Sequence, residues 1–185
     1  MTIRIPGKVG VGFALLATLV LAACQQGPER LAPACPTIAI VQDASELTLF
    51  VDGPGRDLID VTLEARIMEF AGFCDTDLDE DTGAGRVDID LELLFQATRG
   101  PASANREAQL SYFVAITDKD EVILARENFT IDLKFEGNRN RIGAVETLAQ
   151  KIPLKSGEFG EDFKVFVGFQ LSEEQLQFNR IKLGR

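Results

Sequence analysis

The sequence of 185 residues contains no histidine. Histidine is the commonest general base near neutral pH and the commonest protein ligand of metal ions. Its absence excludes Ser-His-Asp and Cys-His nucleophiles and all histidine-based zinc sites. Glycine-rich phosphate loops of the Walker or dinucleotide type are also missing. A carboxylate-dependent hydrolase stays open as an alternative, but nothing singles out two of the 29 acidic residues. We therefore expect a protein that is not an enzyme.

Basic residues are also scarce, because 19 lysines and arginines face 29 acids and give a formal charge of −10. Such a balance argues against nucleic acid as a partner and against a basic patch that binds anionic lipid headgroups. An acidic surface of this kind mainly favours solubility and repulsion between copies.

Long hydrophobic runs are missing too, since the one apolar run spans only 15 uncharged residues, Val9 to Ala23. A helix needs about 20 apolar residues to cross a bilayer. Arg4 and Lys8 precede the run and small residues end it, which is the order of an export signal. We expect residues 1–23 to be a signal peptide that is removed.

The end of this run, Leu21, Ala22, Ala23 and Cys24, resembles the lipobox of bacterial lipoproteins. The resemblance implies cleavage before Cys24, a diacylglycerol on its thiol and a further acyl chain, such as palmitate, on the new amino terminus. Two or more chains hold a protein stably in a membrane. Gln25 stands where Asp typically marks retention in the inner membrane. The resemblance thus implies an outer-membrane lipoprotein that faces the periplasm.

Only three cysteines occur, and lipidation of Cys24 leaves Cys35 and Cys74. Export brings these two into an oxidising compartment, so they are expected to form a disulfide. The bridge would close about 40 residues and contribute roughly 4 kcal/mol on the chain-entropy model. A metal site on two thiols without histidine, or a redox pair without C-x-x-C spacing, is the weaker interpretation.

Three prolines and a glycine between residues 24 and 36 predict a short, extended tether, so residues 37–185 form a single domain. Apolar and polar residues alternate with a period of two through most of that domain, as in strands with one buried face. The predicted strands are Thr37–Val41, Leu47–Val51, Val61–Met68, Val87–Gln96, Leu110–Thr117, Val122–Ala125, Phe129–Glu136 and Phe163–Leu171.

These strands are short and separated by turn-like segments such as Asp75–Gly85, without helical periods between them. The pattern predicts an all-β fold, an antiparallel immunoglobulin-like β-sandwich of about eight strands. Ser172 and Gln175 have the spacing of a capping box and predict a short C-terminal helix from Ser172 to Arg180. The pattern leaves Gly143–Lys151 open between a helical turn and an irregular edge segment.

Acidic residues alternate along the loop at 75–81, with Asp75, Asp77, Asp79 and Asp81 as candidate metal ligands. Ca²⁺ takes six or more oxygen ligands, which alternate carboxylates can aim at one point. The loop departs from the EF-hand pattern at Glu80, where the turn needs glycine, and at the position of the bidentate glutamate, which is arginine. A solvated acidic loop is the simpler interpretation, and a module that binds calcium or a small ligand is the alternative function. No other cofactor is expected.

Several apolar residues stand outside the expected core pattern. Leu176, Phe178 and Ile181 have helical spacing and are expected to pack on the domain rather than form a docking face. Three others lie on the polar sides of their ladders: Met68, Phe113 and Phe166. If they gathered in the fold, they would form an exposed patch and mark a partner site.

With its lipobox, cysteine pair and strand pattern, the mature domain resembles small sandwich lipoproteins of unassigned function from Gram-negative bacteria, in particular alphaproteobacteria. The resemblance names a class and assigns no binding residue. We expect a non-catalytic domain held in the outer membrane through Cys24 that binds or supports another component of the cell envelope.

Overall fold

The computed structural model describes residues 34–185, so the predicted signal peptide, most of the predicted tether and Cys24 lie outside the described residues. The described chain forms eight strands and one α-helix. The strands are β1 (Thr37–Ile40), β2 (Glu46–Phe50), β3 (Val61–Leu78), β4 (Gly85–Arg99), β5 (Glu107–Asp118), β6 (Ile123–Lys134), β7 (Arg141–Leu154) and β8 (Phe163–Phe169), and the helix is α1 (Glu173–Lys182).

The strands form two four-stranded sheets that pack face to face. Sheet A has the order β1-β8-β5-β6, and sheet B has the order β2-β3-β4-β7. The prediction of a sandwich of about eight strands with a short C-terminal helix is confirmed. All neighbouring strands are antiparallel except β1, which runs parallel to β8.

The core lies between the sheets and follows the period-two alternation of the sequence. Along β4, Val87, Leu91 and Leu93 have no exposed surface and Ile89 is 2% exposed, whereas the alternate residues Asp88, Asp90 and Glu92 lie on the outer face. Aromatic rings fill the middle: the centroid of Phe95 lies 5.0 Å from that of Tyr112 and 5.9 Å from that of Phe169. Side chains of both sheets interdigitate in this way in aligned sandwiches.

Two predicted strands prove to be one, and one ambiguous segment proves to be regular. Val122–Ala125 and Phe129–Glu136 join in β6, and Gly143–Lys151 lies within β7, an edge strand of sheet B. The inner face of β7 carries Glu146 opposite Leu93 and Gln150 opposite Ile89. These polar residues interrupt the apolar alternation from which a strand would have been predicted.

The turn predicted at Asp75–Gly85 is shorter in the structure, because β3 continues to Leu78. A bulge at Met68 explains the difference, since Ile67 pairs with Phe95 while Glu69 pairs with the next residue, Leu94. An extra residue reverses which side chains face the core. The alternation that begins at Val61 therefore changes phase, and the far half of the strand does not continue the pattern.

Helix α1 begins with the predicted capping box, in which Ser172 and Gln175 exchange backbone–side-chain bonds of 3.2 and 2.8 Å. Phe178 packs edge-on against Phe50 of β2 at 5.2 Å, as expected for a helix that packs on the domain. Ile181 instead remains 75% exposed. No helix within residues 34–185 has the length and apolar character that a membrane span requires.

Candidate functional site

The disulfide between Cys35 and Cys74 joins the residues before β1 to the far half of β3. The two Cα atoms lie 5.8 Å apart, which is within the usual range for a bridge. Cys74 lies on the inner face of sheet B opposite Ile89 and is partly buried, whereas Cys35 is exposed. The predicted pairing is confirmed.

Around this bridge, one side of β3 has no hydrogen-bonded neighbouring strand among residues 34–185. Strand β2 pairs only with Val61–Arg66, and the last backbone bond on that side runs from the amide of Ile67 to the carbonyl of Ser45, at 3.0 Å. The other side pairs with β4 without interruption from Glu69 to Leu78. We call Glu69–Leu78 the open edge.

The direction of the backbone groups along the open edge follows from the end of the strand. The amide of Asp79 donates to Ala84 in the adjoining turn toward β4, at 2.8 Å. Amide directions alternate along a strand. The amides of Phe70, Gly72 and Cys74 therefore point away from β4, where they can bond to a further strand.

Aromatic side chains lie exposed on both faces of the open edge. Phe73 lies on the outer face and is 78% exposed, whereas Phe70 lies on the inner face, opposite the buried Leu93, and is still 39% exposed. A longer β2 would cover Phe70. The segment Phe70–Cys74 carries no charge, so this part of the edge lacks the charged residues that usually protect an edge strand.

The outer face of sheet B beside the open edge is strongly acidic, and we call it the acidic face. Six carboxylates project from neighbouring positions of β3 and β4: Glu69, Asp75, Asp77, Asp88, Asp90 and Glu92. Two basic residues share the surface, Arg86 on β4 and Lys151 on β7. The acidic face therefore has a local excess of negative charge.

Both basic residues form ion pairs with acidic residues of the same surface. Arg86 lies 2.8 Å from Asp88 and 3.3 Å from Asp77, and Lys151 lies 3.5 Å from Asp88. The hydrogen bond from Arg86 lowers the pKa of Asp88 and, reciprocally, raises the pKa of Arg86. Within the described part of the chain, Glu69, Asp90 and Glu92 form no ion pair.

The four candidate calcium ligands are divided between β3 and the turn that follows it. Asp75 and Asp77 project from the strand, whereas Asp79 closes the turn by accepting the amide of Thr82 at 2.8 Å and that of Asp81 at 3.1 Å. The bonds from Thr82 lower the pKa of Asp79. Across residues 34–185, no three acidic or cysteine side chains are arranged to hold a metal ion. The calcium hypothesis stays a prediction, which titration with millimolar calcium tests.

The apolar residues singled out in the sequence do not gather on one surface. Phe113 and Phe166 are half-buried on the outer face of sheet A, where the guanidinium of Arg126 lies 4.1 Å from the ring centroid of Phe113. Met68 is 44% exposed at the bulge in sheet B. Sequence reasoning missed Phe70 and Phe73, although the uncharged run around them was a usable signal.

Two further features lie away from the open edge. The hairpin between β5 and β6 exposes Val122, Ile123 and Leu124 by 58, 59 and 55%.

In the core, the hydroxyl of Tyr112 has no hydrogen-bond partner among the described residues. Burial, with a contribution from the charge of Glu146, raises the pKa of Tyr112 to about 12.

Comparison of the chain with protein-family models, with curated proteins and with solved structures finds no match.

Proposed function

We propose that this chain is a non-catalytic lipoprotein of the outer membrane whose sandwich domain binds another protein of the cell envelope. One observation carries the binding part of the proposal: the open edge of β3 combines backbone groups that are unpaired among residues 34–185 with an aromatic side chain, Phe73, that is 78% exposed. An exposed apolar edge is a cost to an isolated domain, because it invites association. A partner strand that pairs with the open edge would remove this cost.

The anchor part of the proposal rests on the sequence around Cys24. A lipid on this residue would leave ten residues, 24–33, before the described domain. Ten residues reach at most about 36 Å when fully extended. The domain would therefore work close to the periplasmic surface of the membrane, within reach of proteins embedded in it.

Two observations support a non-catalytic role. The complete sequence has no histidine, so the commonest acid–base group is missing. The pKa is lowered in Glu46, Asp79 and Asp88, which is the opposite of the raised pKa that a general acid of a hydrolase requires. These carboxylates are suited to ion pairs and turn formation.

Crosslinking in intact cells tests the proposal. A short amine-reactive crosslinker should join the full-length protein to one or a few discrete envelope proteins, identified by mass spectrometry after purification. The Cys24→Ser variant, which offers no lipid attachment point, should lose these products and fractionate away from the outer membrane. Recovery of no envelope protein above background, or an unchanged product pattern in the variant, would contradict the proposal.

A further inference from the structure

We propose that the open edge of β3 takes an extended, basic segment of the partner protein as an additional strand of sheet B. This inference rests on the proposed function and names the site and the chemistry of the partner. Recognition of this kind is β-augmentation, in which backbone bonds supply affinity and alternate side chains supply specificity.

The backbone geometry suits this occupant. The open edge spans ten residues from Glu69 to Leu78, or about 33 Å of extended chain. The outward-facing amides of Phe70, Gly72 and Cys74 continue the line in which β2 pairs with the first half of β3. A strand placed there extends β2 and completes the second half of the sheet.

Three edge strands of the sandwich, β1, β6 and β7, are better protected against pairing over most of their length. Strand β1 has only four residues, and β7 carries Arg141, Glu146, Lys151 and Pro153 along its length. Charged residues interrupt β6 from Arg126 onward, so only its first three residues, Ile123–Ala125, form an uncharged and exposed segment. Charged residues, proline and short length are the usual devices that keep an edge unpaired. The uncharged segment Phe70–Cys74 uses none of them.

The negative charge of the acidic face indicates that the partner segment is basic. A strand added at the open edge places alternate side chains beside the acidic face, where Glu69, Asp90 and Glu92 have no basic partner among the described residues. Its remaining side chains turn inward, toward Phe70 and Gly72. The complementary segment therefore alternates basic and apolar residues.

The same charges disfavour a second copy of this chain as the occupant. Pairing two β3 edges about a two-fold axis would bring the acidic face of one copy beside that of the other. Like charges on adjacent strands destabilise pairing. The formal charge of −10 for the whole chain adds to this repulsion.

Site-specific photocrosslinking in cells tests the inference with the full-length protein. Phe73→p-benzoylphenylalanine places the reactive group on the open edge and preserves the aromatic ring. Phe159, 49% exposed, and Ile123, 59% exposed, provide matched positions elsewhere. The probe at 73 should capture one envelope protein, and sequencing of the crosslinked peptide should find alternating basic and apolar residues.

Charge variants test whether the acidic face contributes to binding of the partner segment. Removing two unpaired acids, in Asp90→Asn with Glu92→Gln, should reduce the adduct at position 73 by about 2- to 10-fold, since each exposed ion pair contributes modestly. Glu127→Gln removes an exposed acid from β6 in the other sheet and should change the adduct little.

Three results would overturn the inference. They are an adduct with an acidic or neutral segment, an adduct with residues 25–33 of the same chain or with a second copy, and no adduct at 73 while Phe159 or Ile123 gives one. The last result leaves the proposed function intact. Absence of adducts at all three positions would contradict the proposed function as well.

Discussion

At the scale of single residues, Asn179 is the clearest polar anchor of the C-terminal helix. It is 4% exposed, and its side-chain amide donates to the carbonyls of Asp43 at 2.9 Å and Glu46 at 2.7 Å. Asn179→Leu leaves both carbonyls without this donor, which should lower the free energy of unfolding by about 1–3 kcal/mol. Urea denaturation measures the loss, and the exposed Gln177→Ala should change stability little. Equal stability of both variants would refute this role.

Glu46 should give the stability a pH dependence. Burial alone would raise its pKa, but the hydrogen bond and charge of Lys182, together with Arg66, lower it below the ordinary value of 4.5. A lowered pKa stabilises the fold above the unfolded-state pKa, and the contribution disappears as the pH falls through the folded-state value.

The variant Glu46→Gln should therefore be less stable than the wild type by about 0.5–1 kcal/mol at pH 7. The two should converge in the acid range, below about pH 4. Thermal denaturation across this range provides the measurement. Glu136→Gln, at an exposed acid that forms no ion pair with a described residue, should show no such convergence. A difference that persists at low pH would indicate lost packing instead.

At the scale of elements, the Cys35–Cys74 bridge holds β1 in place. This strand has only four residues and one neighbour, β8, to which it is paired in parallel. Replacing both cysteines, in Cys35→Ser with Cys74→Ser, should cost about 2–4 kcal/mol of stability.

Hydrogen exchange distinguishes a local from a general effect of that double variant. The amides of Ile38 to Ile40 should lose protection first, while those of β4 keep theirs until global unfolding. Uniform loss of protection across both sheets would contradict the assignment of the bridge to β1.

The strands and the helix that were predicted correctly are those with a local signal in the sequence. Strand β4 is paired on both sides and buries one face, so its sequence alternates strictly from Val87 to Leu93. Ladders of this kind made the strands and the sandwich class predictable. The capping box of α1 is a local signal and was equally readable. The disulfide was predicted from the count of cysteines and from the expected export of the chain.

The uncharged run Phe70–Cys74 was visible in the sequence, but its position on an open edge was not predictable, because the two causes of that edge are not local. A bulge at Met68 shifts the phase of β3, and no pattern in the sequence places an extra residue there. The other cause is that β2 ends halfway along β3, which is a property of pairing between strands. Exposure of Phe73 thus depends on register and not on composition.

At the scale of the whole molecule, the negative charge and the proposed lipid anchor would act together. Removal of residues 1–23, with Arg4 and Lys8, would leave 162 residues and change the formal charge from −10 to −12. Repulsion would keep copies of the domain apart on a membrane and would favour basic partners over self-association. A lipid at Cys24 would confine encounters between the domain and its partners to the membrane surface.

The proposed lipid anchor at Cys24 is the central claim, because it would put the domain in the envelope, where a partner strand could meet β3. Intact mass spectrometry of the protein extracted from membranes tests it most directly. We predict a chain that begins at Cys24, carries a diacylglycerol and an acyl chain, and has no free thiol. Globomycin should prevent its cleavage before Cys24. An unmodified chain recovered from the soluble fraction, or one cleaved at another residue, would contradict the account.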